Sequence, residues 1–197
     1  TEYSEEEKIR AYSIFGGTPH YFTQLPNAPN PVFLLEIRKT ILEKGAQLRE
    51  EPKELFSSEA RRSARYNAIL QAIAEGHRAT TEIAGYASSK TLSAIKPASL
   101  PPYFKVLTNQ LNVLERDDPL FGKEKHGRYC FSDPFYEFWY KFIFPHQEAL
   151  ELENYHFIEE KIARELPALE GKTFEKICRQ FLALHNNKKI KGLELDL

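Results

Sequence analysis

Two groups of side chains have the types and spacing to act on a polyanion. Lys105 and Asn109, four residues apart, share one face of a helix, and Thr108 lies beside them. A lysine suits a phosphate oxygen, and an asparagine amide can pair with the edge of an adenine. The second group is Lys123, Lys125, His126 and Arg128, in and just after a loop bounded by Gly122 and Gly127. Both groups have a plainer reading, a polar face turned to solvent, and the residue types alone do not choose between the two.

The elements that would position them run from Tyr66 to Phe131. Tyr66, Ile69, Leu70 and Ile73 recur at i, i+3, i+4 and i+7, which predicts a helix stopped by Gly76. A second helix is predicted from the capping residues Thr80-Thr81, with Ile83, Ala84 and Ala87 inward. A third is expected after Ser99 as N-cap, with Pro101 and Pro102 in its first turn. It would bury Leu100, Phe104, Leu107 and Leu111, and Asn112 would close it in the left-handed region. Val113 to Arg116 and Arg128 to Phe131 then read as two strands around the basic loop. Three helices followed by a hairpin is the order of a winged helix, which either binds DNA or serves as a protein-protein module.

Composition sets bounds on both readings. With 27 Lys+Arg against 28 Asp+Glu the net charge is -1, so any nucleic-acid surface must be a local patch. Between Arg61 and Arg128 the balance turns positive, against an otherwise acidic chain. No apolar run is long enough to span a bilayer and no signal-peptide pattern is seen, which predicts a cytoplasmic protein without a membrane partner. The two cysteines, Cys130 and Cys178, have no metal-like spacing and read as reduced thiols. The six histidines show no pairing at metal-ligand spacing, so no metal site is expected. Gly171-Lys172-Thr173 resembles the end of a phosphate loop, but Leu166 stands where the first glycine should be. Nothing else matches a nucleophile elbow, a Cys/His pair or a dinucleotide fingerprint.

The flanks read as helical. In residues 1–58, Ser4 and Glu7 form a capping box and Gly16-Gly17 ends the first helix. Thr18-Pro19 restarts it as N-cap and first helical residue, and 26–31 is a proline-rich loop. Phe33, Leu34, Ile37, Ile41 and Leu42 mark a third helix ended by Gly45, and a weaker segment runs from Lys53 to Ser58. Beyond the hairpin, Asp133-Pro134 caps a helix that is aromatic on several faces and ends at Pro145. A helix over Tyr155 to Leu166 and another after Pro167 and Gly171 follow, then a strand-like run from Leu193 to Leu197. The expected fold is mainly α, in three parts: a helical segment at 1–58, a winged helix at 59–132 and a helical segment at 133–197. The absence of any methionine, including at position 1, points to a fragment.

Several short segments, in order, resemble one family. Gly16-Gly17-Thr18-Pro19-His20-Tyr21-Phe22 is similar to the Gly-Gly-x-Pro-x-Tyr-Leu segment of the archaeal ATPase family, P-loop ATPases of the AAA+/STAND group. Tyr66 to Gly76 resembles the first element of its winged helix. Arg128-Tyr129, Asp133-Pro134-Phe135 and Phe138-Trp139 resemble its Arg-Tyr-x-x-x-Asp-Pro-Phe-x-x-Phe-Trp segment. Gly171 to Glu175 is similar to the Gly-x-x-Phe-Glu start of its C-terminal domain.

The resemblance implies that 1–58 is the helical lid of an ATPase, with Gly17 and Pro19 near the nucleotide. It implies that 133–197 leads into an incomplete α/β domain of the PD-(D/E)XK nuclease-like fold, with Glu175 on its first helix and Asp196 as the metal-binding aspartate. ATP and Mg²⁺ would belong to the parent protein. Without Walker motifs this chain is not expected to hydrolyse ATP alone or to hold a cofactor. Three functions are then expected to compete: duplex-DNA binding through the third helix and wing, regulatory packing of the winged helix on the missing ATPase domain, and a share in a metal-dependent nuclease.

Overall fold

Glycine and proline punctuation divides the chain into short helices, and a computed structural model describes residues 3–25, 33–54, 63–91, 94–117, 128–185, 189–190 and 193–194. Helix α1 (Glu5–Phe15) starts on the expected capping box, in which Ser4 Oγ accepts from the Glu7 amide and Glu7 accepts from the Ser4 amide. It stops at Gly16, whose φ of 65° and ψ of -156° suit only glycine. Helix α2 (Pro19–Phe22) has Pro19 in its first turn, but the Thr18 side chain makes no capping bond. Helix α3 (Phe33–Ile37) continues as a wider π turn over Arg38–Leu42, and Gly45 follows at φ 84°.

The expectation of a segment from Lys53 to Ser58 needs correction: helix α4 is Gln47–Glu54, and residues 55–58 lie outside the described ones. A polar sequence containing Pro52 hid it. Its one deeply buried charge is Arg49, whose Nη2 donates to Glu151 at 2.8 Å and Nη1 to the Leu42 carbonyl at 3.3 Å.

The winged-helix order is present. Helix α5 (Ser63–Ala74) buries Tyr66, Ile69, Leu70 and Ile73 as the periodicity requires, and Gly76 has φ 97°. Helix α6 (Thr80–Lys90) is capped at Ala79 rather than at Thr80 or Thr81. Glu82 supplies the cap, its Oε2 accepting from the Arg78 and Ala79 amides at 3.1 Å each, and those bonds hold its carboxyl below the usual range.

A 3₁₀ turn (Pro97–Ser99) leads into helix α7 (Pro101–Lys105), which continues as a π turn over Val106–Gln110. Ser99 is not its N-cap, because its hydroxyl is spent on the Lys96 carbonyl at 2.7 Å. Strands β1 (Leu114–Asp117) and β2 (Arg128–Phe131) pair antiparallel, Leu114 opposite Phe131 and Arg116 opposite Tyr129.

Asp133 caps helix α8 (Pro134–Phe138) by accepting from the Phe135 amide at 2.8 Å, and the helix runs on as a π turn over Trp139–Ile143. Pro145 falls in a 3₁₀ turn (Phe144–His146) before helix α9 (Gln147–Glu151). Helix α10 (Tyr155–Leu184) is one helix of 30 residues running through both Pro167 and Gly171. It buries Ile158, Ile162, Leu166, Leu169 and Thr173 on one continuous face, and that face carries it past the two breakers. A short hairpin, β3 (Lys189–Ile190) with β4 (Leu193–Glu194), follows.

One buried cluster runs from Ile14 and Phe15 through α5, α7 and β1 to the aromatic residues of α8 and the inner face of α10. Two buried aromatic polar groups are paired inside it: Trp139 Nε1 donates to the Arg49 carbonyl at 3.0 Å, and the Tyr140 hydroxyl to Asn67 Oδ1 at 2.9 Å. Ion pairs tie α10 to its surroundings: Arg10 with Glu170 at 2.7 Å, Arg38 with Glu159 at 2.5 Å and Lys141 with Glu165 at 3.3 Å. The fold is mainly α. Among the described residues no helix is long and apolar enough to cross a membrane.

Candidate nucleic-acid interface

Packing of the third helix against the hairpin creates a groove. Leu100, Phe104 and Leu107 turn into the core, which leaves Lys105 and Asn109 on the outer face. The Phe104 ring stacks on Tyr129 of β2 with centroids 3.8 Å apart and planes within 8°. That stack fixes the distance between helix and strand. Asn112, in the left-handed region at φ 51°, turns the chain from α7 into β1. The groove is lined by Lys105, Thr108, Asn109 and Asn112 on one side and by Glu115, Arg116, Tyr129 and Ser132 on the other, with Pro101, Phe104 and Leu114 beneath.

Within it the roles differ. Lys105 is exposed and makes no ion pair among the described residues, so its ammonium is available to an anion. Thr108 is not, because its hydroxyl is engaged with the Phe104 carbonyl at 2.8 Å and with Asn109 Oδ1 at 2.9 Å. It therefore orients the Asn109 amide. Asn109 is exposed on the same outer face.

Arg128 is separated from this group. In the β1–β2 register it stands opposite Asp117, and strand alternation puts it on the other face of the hairpin from Tyr129. Lys123, Lys125 and His126 lie outside the described residues. Arg116 was not singled out from the sequence, yet it shares the face of Leu114 and Tyr129 and lines the groove. The signal for it was parity: Leu114 points inward, so the residue two along lies on the same face.

A second cleft lies across the hairpin, between its far face, α8 and α10. It is lined by Arg78, Glu115, Cys130, Glu137, Lys172, Lys176 and Arg179 among others. Within it Lys172 pairs with Glu137, Lys176 with Glu115 at 2.6 Å, and Arg179 with Glu175 at 2.6 Å. Glu175, the residue that the nuclease-like resemblance implied, is thus in an i, i+4 pair on an outer face of α10. Asp196 lies outside the described residues. Among the described residues no group of three or more His, Cys, Asp or Glu side chains could hold a metal ion.

Of the two residues that the resemblance put near the nucleotide, Gly17 meets the hairpin's exit, and Pro19 is exposed in the first turn of α2. The Gly17 amide donates to Asp133 Oδ2 at 2.9 Å while the other oxygen of that carboxylate caps α8. A Cβ on Gly16 would lie 1.7 Å from Asp133 Oδ1. The Gly-Gly and Asp-Pro segments, 116 residues apart, are therefore two halves of one contact.

Comparison with known proteins adds relatives without a stated activity. Residues 139–194, which take in the π turn that follows α8, as well as α9 and all of α10, match the DUF234 family, described as archaea bacterial proteins of unknown function. The chain is 33% identical over 181 residues to an uncharacterized protein of Methanocaldococcus jannaschii. That alignment takes in 90% of this chain and 38% of the relative, so the chain spans well under half of that protein. No solved structure matches the chain.

Proposed function

We propose that this chain is the lid and winged-helix part of an archaeal-type P-loop ATPase, and that the winged helix binds duplex DNA through the groove between α7 and the hairpin. One observation carries the reading: Lys105, Asn109 and Arg116 converge on a groove that no described element covers. An outward helix beside a strand pair can lay its polar face along a duplex groove, while Lys105 and Arg116 neutralise flanking phosphates. With an overall charge of -1, any such attraction has to come from a local patch of this kind.

A salt titration of duplex binding tests it. Binding should weaken linearly in log-log form, and Lys105→Ala or Arg116→Ala should each lower the slope by about 0.9. Asn109→Ala should weaken binding with an unaltered slope, since an amide releases no counterion. Duplex binding that is undetectable, or indifferent to salt, would sink the proposal.

A regulatory reading has its own support in the bond from Gly17 to Asp133. It ties the turn assigned to the lid directly to the end of the winged helix, so movement of one would be felt by the other. Binding of this chain in trans to a separate ATPase domain, with no response to DNA, would favour that reading instead.

A further inference from the structure

We propose that Lys176 of α10 is a positioning residue for the groove: it locks the base of the β1–β2 hairpin and so sets how Arg116 and Tyr129 stand against α7. The proposal rests on the duplex-binding reading above. A lysine ammonium has three donors. Those of Lys176 meet the Phe131 carbonyl at 3.1 Å, the Ser132 carbonyl at 3.2 Å and Glu115 Oε1 at 2.6 Å. One cation therefore grips both strands of the hairpin, β1 through Glu115 and the end of β2 through two main-chain carbonyls.

An exposed ion pair alone would contribute little. Here the ammonium also satisfies carbonyls where the two-stranded ladder ends, and that gives it a fixed seat. The same residues reach into the groove. The Ser132 amide donates to the Val113 carbonyl at 3.0 Å and its hydroxyl to the Asn112 carbonyl, and both Asn112 and Ser132 line the groove. Lys176 itself lines the opposite cleft. It can therefore govern groove geometry without touching a phosphate bound there. Its neighbours along the helix, Lys172 and Arg179, pair with Glu137 and Glu175; the Glu115 oxygen that meets Lys176 also accepts from Cys130 Sγ of β2 at 3.6 Å.

The test uses Lys176→Met, Lys176→Arg and Glu115→Gln in the full chain, with two readouts. Hydrogen exchange without DNA should show the amides of 114–117 and 128–131 losing about tenfold protection in Lys176→Met, while those of α5 are unchanged. Duplex affinity at fixed salt should fall about tenfold in the same variant with no change in salt slope. Lys176→Arg should restore most of both, because a guanidinium can still donate to the carbonyls.

Unchanged exchange, or a loosened hairpin with full affinity, would overturn the proposal. So would a slope lowered by about 0.9, which would make Lys176 a phosphate ligand. If Lys176→Met fails to fold, Glu115→Gln decides by hydrogen exchange alone, since Glu115 also lines the groove and its neutralisation would favour a duplex directly: it keeps both carbonyl bonds and should give a smaller loss of protection in 114–117 and 128–131, and no loss overturns the lock. A wild-type chain that binds no duplex removes the groove reading and this proposal together. A binding wild type with an indifferent variant removes this proposal alone.

Discussion

Gly16 shows how one residue type can be forced by a contact far away in sequence. Its backbone sits where only glycine is comfortable, and a methyl there would occupy the place of the Asp133 carboxylate. Gly16→Ala should cost about 2–4 kcal/mol, combining backbone strain with the displaced cap. Asp133→Ala should cost about 1–2 kcal/mol as a lost N-cap. The double variant should cost less than the sum, because each single change already breaks the same contact; chemical denaturation of the four proteins measures that shortfall. The stop at Gly16 and the cap at Asp133 were each legible in the sequence, but their union was not, since nothing local in either segment points to the other. His146 supplies a residue-scale prediction of a different kind. Burial, helped by the Lys161 ammonium 3.1 Å from its Nε2, holds its imidazole below the ordinary value. The unfolded chain therefore takes up a proton near pH 6.5 that the folded chain still refuses. Stability should be flat above that pH and fall as pH drops toward the lower folded value. Urea midpoints across this window should follow that course, and His146→Gln should flatten it.

At the scale of elements, α10 is where local signals misled. Pro167 lacks an amide hydrogen and Gly171 is a poor helix former, so both read as boundaries. Burial of Ile158, Ile162, Leu166, Leu169 and Thr173 along one line outweighs them, and Arg38 and Arg10 pin Glu159 and Glu170 on either side of the proline. Tertiary packing of this kind has no signature in a short window of sequence. The same holds for α4, whose buried Arg49 looks like any surface arginine until Glu151 and the Leu42 carbonyl are beside it. The stripe of α5, by contrast, was legible because Tyr66, Ile69, Leu70 and Ile73 repeat at the helical period. A consequence can be measured. Pro167 is exposed and a Cβ at Gly171 would meet nothing within 4 Å, so neither is required by packing. Pro167→Ala should stabilise the fold by about 1–3 kcal/mol and Gly171→Ala by about 0.5–1 kcal/mol, read as raised denaturation midpoints with unchanged slope. A loss of stability in either would mean that α10 is not helical through that point.

For the whole molecule the question is whether the three parts suggested by the sequence behave as one. The buried cluster joins them: Tyr21 of α2 packs on Phe135 of α8 with ring centroids 4.8 Å apart, Trp139 bonds to the Arg49 carbonyl of α4, and Tyr140 to Asn67 of α5. Such contacts cannot be released for one part without exposing large rings in another. Trp139 is the chain's only tryptophan, so its fluorescence reports this junction alone, while far-UV ellipticity is dominated by the helices at large. If the junction makes the parts interdependent, the two signals should trace a single transition with one midpoint. Leu107→Ala, fully buried in the π turn that continues α7, should shift both traces together by about 2–5 kcal/mol, and Ile158→Ala, in α10, should do the same. Two separated midpoints, with Leu107→Ala moving one and Ile158→Ala the other, would mean that the winged helix folds apart from α10. The bond from Gly17 to Asp133 would then couple the first segment to the winged helix through that contact alone, because a cooperative core would no longer connect them.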